Sequence, residues 1–238
     1  MSVAQALSVL EKIRTRGYWR VVIRPTKFEE NHIPNDCDIF RIVDRNSVRL
    51  RGWDYPHIDD QSQPLRGADW LGQEYECQDE IEVWRLYMSG QFVHFFALAG
   101  EWRDYSTTWP PEPGWQPGRY LYYIQTIYSI VEIFEFAARL ALSPAGATSM
   151  CVEIDLDGLQ GRQIVETDTR FRFSRTYDTQ MPGWKYRWEG THTELIARPR
   201  EFAAVATREL FARFGLNTSL ETLARLQAEI ERRAFGAR

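Results

Sequence analysis

Through residues 119–142, RYLYYIQTIYSIVEIFEFAARLAL, apolar positions recur every three or four residues, between Pro117-Gly118 and Ser143-Pro144. Leu121, Ile124, Ile127, Tyr128, Val131, Phe134, Ala138 and Leu142 form the stripe. Tyr122, Tyr123, Ile130, Ile133 and Phe136 fill most of the opposite side, leaving Gln125, Ser129, Glu132, Glu135 and Arg139 on one narrow polar line. A helix apolar nearly all round is a buried helix, so the spacing predicts a central helix with other elements packed about it. Two Glu and an Arg inside it argue against a membrane span, where such charges are costly. The polar line could edge a cleft, although Glu135 and Arg139, four apart in the favourable order, also predict a pair on the helix surface.

Before this helix the pattern changes period several times. Residues 2–16 are amphipathic, with Ser2 as a cap and Gly17 as a stop. Residues 18–24 alternate as a strand, with Trp19, Val21 and Ile23 one way and Arg20, Val22 and Arg24 the other, until Pro25. A short helix is expected over 36–45 and a strand over 48–53, carrying Arg49 and Arg51 opposite Val48 and Leu50. A polar loop follows over 54–60. Residues 81–88 and 91–98 flank Ser89-Gly90 as a hairpin with a two-residue turn. That register sets Trp84 against Phe95, Tyr87 against Phe92 and Arg85 against His94.

The segment 109–118, WPPEPGWQPG, is the main break in periodicity and the expected joint between two lobes, about 1–112 and 113–238, of one compact domain. Beyond the central helix, strands are expected over 150–156, 162–166, 170–174 and 184–188. A helix starts at Pro199 and ends near Gly215, and Thr218-x-x-Glu221 reads as a capping box for the last one. This C-terminal helix pair departs from a helix-turn-helix, because the first member is long and the second carries Glu221, Glu229 and Glu231. The prediction is an α+β fold, a mixed but mainly antiparallel twisted sheet packed on the long buried helix.

Composition narrows the function classes only modestly. A chain of 238 residues with 44% apolar and 26% charged residues is an ordinary globular protein, and its net charge of −4 argues against indiscriminate nucleic-acid binding. Charge is uneven, at net +2 over 1–66, −7 over 67–112 and +1 over 113–238. Nine Trp are available for core filling, base stacking or partner anchoring. Cys37, Cys77 and Cys151 are scattered and odd in number, which suits a reducing compartment and offers no zinc motif. No signal-peptide pattern opens the chain, so a cytoplasmic location without membrane attachment is expected.

Phosphate-loop, dinucleotide, metalloprotease and nucleophile-elbow motifs are all missing from the sequence. Glu153, Asp155 and Asp157 alternate on one strand face and could hold Mg²⁺ for phosphoryl transfer, which would make a metal-dependent phosphoesterase or nucleotidyltransferase. They equally suit a solvated strand running into an Asp-Gly turn. His57-Ile58-Asp59-Asp60, with His32, Glu29 and Glu30, offers acid–base groups or simply a polar loop, and His94 reads as a packing or surface residue. The most repeated feature is basic residues on one face of successive strands: Arg20 with Arg24, Arg49 with Arg51, Arg170 with Arg172, and Lys185 with Arg187. Were such strands neighbours, they would merge into a basic surface edged by Tyr18, Trp53 and Tyr55, suited to a phosphate backbone or a partner protein.

The blocks GYWRVVIRP at 17–25 and RLRGWDYPH at 49–57 resemble segments of uncharacterised bacterial proteins that accompany Schlafen-type or AlbA-like nucleic-acid-binding modules. The module itself is not visible in the chain, so the resemblance carries over no functional residue. It implies a nucleic-acid or antiviral-defence context. The expectation is therefore a non-catalytic binding or accessory subunit of a bacterial cytoplasmic system, acting on nucleic acid, a partner protein or a second copy, and needing no cofactor.

Overall fold

The computed structural model describes residues 7–35, 38–50, 52–77, 80–103, 116–166 and 173–236, with side chains described as far as residue 229. The chain begins with helix α1 (Val9–Ile13), strand β1 (Tyr18–Pro25) and helix α2 (Ile39–Asn46). Short strands β2 (Val48–Arg49), β3 (Asp54–Tyr55) and β4 (Leu65–Arg66) precede the longer β5 (Trp70–Cys77), β6 (Glu80–Tyr87) and β7 (Phe92–Ala97). Strand β8 (Tyr120–Tyr122) runs directly into α3 (Tyr123–Ala141). After it come β9 (Ser149–Asp157), β10 (Gln163–Val165), β11 (Gly183–Thr191), α4 (His192–Ala197), α5 (Pro199–Ala212) and α6 (Leu220–Gly236).

Seven strands make one sheet in the order β11-β9-β1-β7-β6-β5-β4, antiparallel throughout. β8 pairs with β10 in parallel, and β2 with β3 antiparallel, as two small separate ribbons. The fold is α+β. Period-two alternation sets the inner face: Trp19, Val21 and Ile23 of β1 are buried, and Leu156, Ile154 and Val152 of β9 lie directly opposite them. Helix α3 crosses this face, with Phe134 6.3 Å from Tyr186 of β11 and Phe136 4.7 Å from Phe92 of β7, ring centre to ring centre. On the outer face, α1 covers β6 and β7 by packing Ile13 on Ile81, Val83 and Phe95. Strands from either side of the 109–118 segment are neighbours in the sheet, β1 against β9, and share one core.

Departures from the sequence reading are local. Helical spacing over 119–142 starts too early, because the backbone of Tyr120–Tyr122 is held extended by pairing with β10. Ser8 caps the first helix through a capping box with Glu11, while Ser2 lies outside the described residues. At the hairpin, Tyr87 N–H donates to Gln91 O and Gly90 N–H to Tyr87 O, so Met88, Ser89 and Gly90 all belong to the turn. Gly90 takes the left-handed φ of 78° that this bulged turn requires. The register therefore moves by one, pairing Trp84 with His94, Val83 with Phe95, Arg85 with Val93 and Leu86 with Phe92. His94 consequently shares the buried face with Trp84.

The strand expected over 48–53 stops at Arg49, since Gly52 at φ 81° turns the chain back into β3. The helix expected over 36–45 is described from Ile39, with 36–37 outside the described residues. Phe173 and Ser174 lie in no strand, and 167–172, like 104–115, fall outside the described residues. Ser219 rather than Thr218 caps the last helix, its hydroxyl accepting from Thr222 N–H at 3.1 Å. Glu135 and Arg139 serve other elements: Arg200 Nε donates to Glu135 Oε1 at 2.6 Å, and Arg139 Nη1 donates to Ser47 O at 2.5 Å.

One buried ion pair ties the two halves of the chain together. Arg162 Nη1 donates to Glu101 Oε1 and to Tyr120 O, the latter at 3.0 Å. Glu101 also accepts from Gly17 N–H at 3.3 Å and from Gly118 N–H at 3.2 Å. A Cβ at Gly17 would fall 2.2 Å from Arg162 Nη2, so only glycine lets the guanidinium approach. Such saturation of both charges is what burial of an ion pair demands.

Candidate functional site

The outer face of β1, β9 and β11 gathers some of the sequence-predicted residues into a single ladder. Asp155, on the middle strand, lies opposite Arg20 on one side and Lys185 on the other. Arg20 Nη1 reaches its Oδ2 at 2.9 Å and Lys185 Nζ the same oxygen at 3.8 Å. One step along, Glu153 Oε1 takes Arg187 at 2.9 Å and Arg24 at 3.5 Å, and Arg187 also holds Glu189 at 2.6 Å. That bond to Glu189 is the main reason the Arg187 guanidinium is pushed above its ordinary value. Asp157 stands beside Tyr18, whose hydroxyl is held above the usual tyrosine range first by burial and then by that carboxylate. Helices contacting β11 do so through inner side chains, Phe134 on Tyr186 and Phe202 on Trp188, while the side chains of Lys185 and Arg187 are 79% and 55% exposed.

The basic row and the acidic row are thus one structure, each answering the other. Of the carboxylates considered for Mg²⁺, Glu153 and Asp155 already hold cations, and among the described residues no cluster of three or more His, Cys, Asp or Glu could hold a metal ion. Arg49 is not part of the ladder; it projects from the separate β2–β3 ribbon and lies 3.8 Å from Asp54. Trp53 and Tyr55 do not edge the basic face either, because Trp53 stacks on His57 and Tyr55 is buried. Arg51, Arg170 and Arg172 lie outside the described residues.

A second polar group lies on the inner face, beneath α3. His94 Nε2 meets Glu82 Oε2 at 2.7 Å, with both side chains almost wholly buried. Glu82 Oε2 also accepts from His57 N–H at 3.2 Å. The Asp54 carboxylate accepts from His57 Nδ1 at 2.9 Å and from Ile58 N–H at 3.1 Å, which fixes the ring's tautomer and leaves Nε2 as its free nitrogen. Trp53 stacks on that ring at 4.0 Å and Tyr75 meets it edge-on at 4.3 Å. Gln73 closes the loop by bonding Asp59 N–H and O, and Trp84 Nε1 donates to His57 O.

Among the described residues, two buried atoms in this group have no partner, the Tyr55 hydroxyl and His94 Nδ1. Burial, then the negative charge of Glu82 and of the wholly buried Glu132, holds the Tyr55 hydroxyl well above the ordinary tyrosine range. Among the described residues no group bonds His57 Nε2. From the sequence, His57 groups with Asp59 and Asp60, and His94 reads as a packing or surface residue. One signal was available: Glu82 has the same strand parity as Trp84 and Leu86, so its carboxylate had to enter the core with them.

No protein-family model, no curated protein and no solved structure matches the chain. No helix among the described residues is long and apolar enough to cross a membrane.

Proposed function

We propose that the protein is a non-catalytic binding subunit of a bacterial cytoplasmic system, and that it docks another protein on the outer face of β1, β9 and β11. The supporting observation is the interleaving of charge on that face. Arg20, Arg24, Lys185 and Arg187 alternate with Glu153, Asp155, Asp157 and Glu189, so the ladder carries no net charge. Affinity for a polyanion comes from uncompensated cations that release counterions, and these cations already hold carboxylates. Interleaved signs instead favour a partner with complementary rows and penalise one without them, which is how charge confers specificity between proteins.

A photo-crosslinking residue in place of Lys185, expressed in the source cell, tests the reading. The expected result is one discrete adduct with a different protein chain, not with a second copy, that survives nuclease treatment and is absent when the probe replaces Arg208, an exposed position on α5. Adducts that vanish with nuclease, or equal labelling from both positions, would overturn it.

A further inference from the structure

The two ends of the sheet differ. β4 is two residues long, whereas β11 runs for nine, and among the described residues no strand pairs with its outer edge. The direction of its backbone groups follows from one bond. His192 N–H donates to Thr148 O at 2.9 Å, continuing the line in which Thr191 pairs with Ser149. Even-numbered residues of β11 therefore bond to β9, and alternation turns the N–H and C=O of Lys185, Arg187 and Glu189 toward the open edge. Thr191 agrees with this parity, since its N–H leaves the sheet and donates to Glu194 Oε2 at 3.0 Å.

A long open edge is a template for strand addition, and the outer side chains select the strand. In a two-fold antiparallel pairing with a second copy, each outer residue opposes an outer residue. Centring on Arg187 sets Arg187 against itself, and centring on Tyr186 sets Lys185 against Arg187. Centring on Glu189 brings two carboxylates together. Centring on Trp188 opposes Arg187 to Glu189 of the second copy twice and creates no like-charge pair. It also sets the two Trp188 side chains opposite each other at a position without backbone hydrogen bonds, where strands bring side chains closest. Trp188 is half-buried and braced by Phe202 at 5.0 Å, so it can meet its counterpart as a fixed aromatic pair.

We infer that the protein forms a two-fold dimer by antiparallel pairing of β11 with β11 of a second copy, in the register that opposes Arg187 to Glu189. The dimer joins the edges of two β11 strands, whose outer side chains Arg187 and Glu189 also belong to the ladder; its readout is self-association, whereas that of the docking reading is an adduct with a different chain.

Sedimentation velocity over a concentration series tests the inference with two single variants, Arg187→Glu and Glu189→Arg. Each homodimer would oppose two like-charge pairs and weaken by about tenfold or more. An equimolar mixture restores Glu against Arg at both positions and should recover the parent's dimerisation. A parent monomeric up to about 1 mM, single variants that dimerise as the parent does, or a mixture that stays monomeric would each overturn it. If either variant fails to fold, amide exchange in the parent decides. Protection of the Arg187 and Glu189 amides that grows with protein concentration supports the pairing, and concentration-independent exchange refutes it.

Discussion

On the outer face of the sheet, Asp155 sits between Arg20 and Lys185, whose side chains are 38% and 79% exposed; on the inner face, Glu82 meets a His94 that is 1% exposed. Both are close acid–base contacts, the inner one an ion pair only when His94 is protonated, but water treats them differently. Exposed pairs gain little beyond what solvent already provides, typically up to about 1 kcal/mol. A pair out of water is expensive to assemble and more expensive to halve, because removing one partner leaves the other charge buried alone. The ladder is therefore a device for surface pattern, and the Glu82 group a constraint on the core. Substitutions on the two faces should separate by size.

The largest effect is expected at His94. His94→Leu would take the His94 partner from buried Glu82 and leave it the His57 N–H, and should cost about 3–5 kcal/mol. Glu82→Gln, which keeps an acceptor for both His94 and His57 N–H, should cost less. Chemical denaturation checks both; a loss under about 1 kcal/mol for His94→Leu would show that the inner pair is as solvated as the outer ones.

Tyr55 sharpens the comparison with the opposite sign. Its buried hydroxyl has no partner among the described residues, so Tyr55→Phe should stabilise the fold at neutral pH by about 1 kcal/mol. The pH dependence follows from the raised folded-state pKa. An unfolded tyrosine ionises near 10.0, whereas the folded one stays protonated beyond it. That contribution to stability is full below the unfolded value and is lost as pH rises through the folded one. The Phe variant lacks the term, so its stability should fall less steeply above pH 10.0 in thermal melts. Identical slopes would mean that the hydroxyl reaches solvent.

How much of this was legible in the sequence follows the same division. The alternation of Trp19, Val21 and Ile23 and the all-round apolar helix predicted the inner layer, because burial imposes its period on neighbouring residues. Partnership across strands leaves no such trace. Arg20 and Asp155 are 135 positions apart, and nothing local to either shows that one neutralises the other. Considered separately, they suggested a basic surface and a metal site; placed side by side, they form one ladder. Arg49, Trp53 and Tyr55 left the expected surface for a similar reason, since one left-handed glycine, Gly52, ended the strand that would have aligned them. His94 was misplaced by a turn one residue longer than the dipeptide suggested, and in a strand one residue exchanges the faces.

The smallest stability change and the clearest change in binding should come from the same variant. Glu153→Gln with Asp155→Asn keeps the shape and hydrogen-bonding capacity of both side chains but removes two charges from a face that has none to spare. Glu153 is 25% exposed and Asp155 15%, and their cationic partners are more exposed than they are, so the expected cost in denaturation is below about 1 kcal/mol per pair. The face would then be net +2, with Arg20, Arg24, Lys185 and Arg187 no longer held by the central strand. If neutralisation is what keeps nucleic acid away, the parent should show no binding to a short duplex at physiological salt. The variant should bind it weakly, with a salt dependence corresponding to roughly two to four phosphate contacts. A parent that already binds the duplex, with the same salt slope as the variant, would mean that the carboxylates do not mask the arginines. The basic surface expected from the sequence would then be the better description of this face.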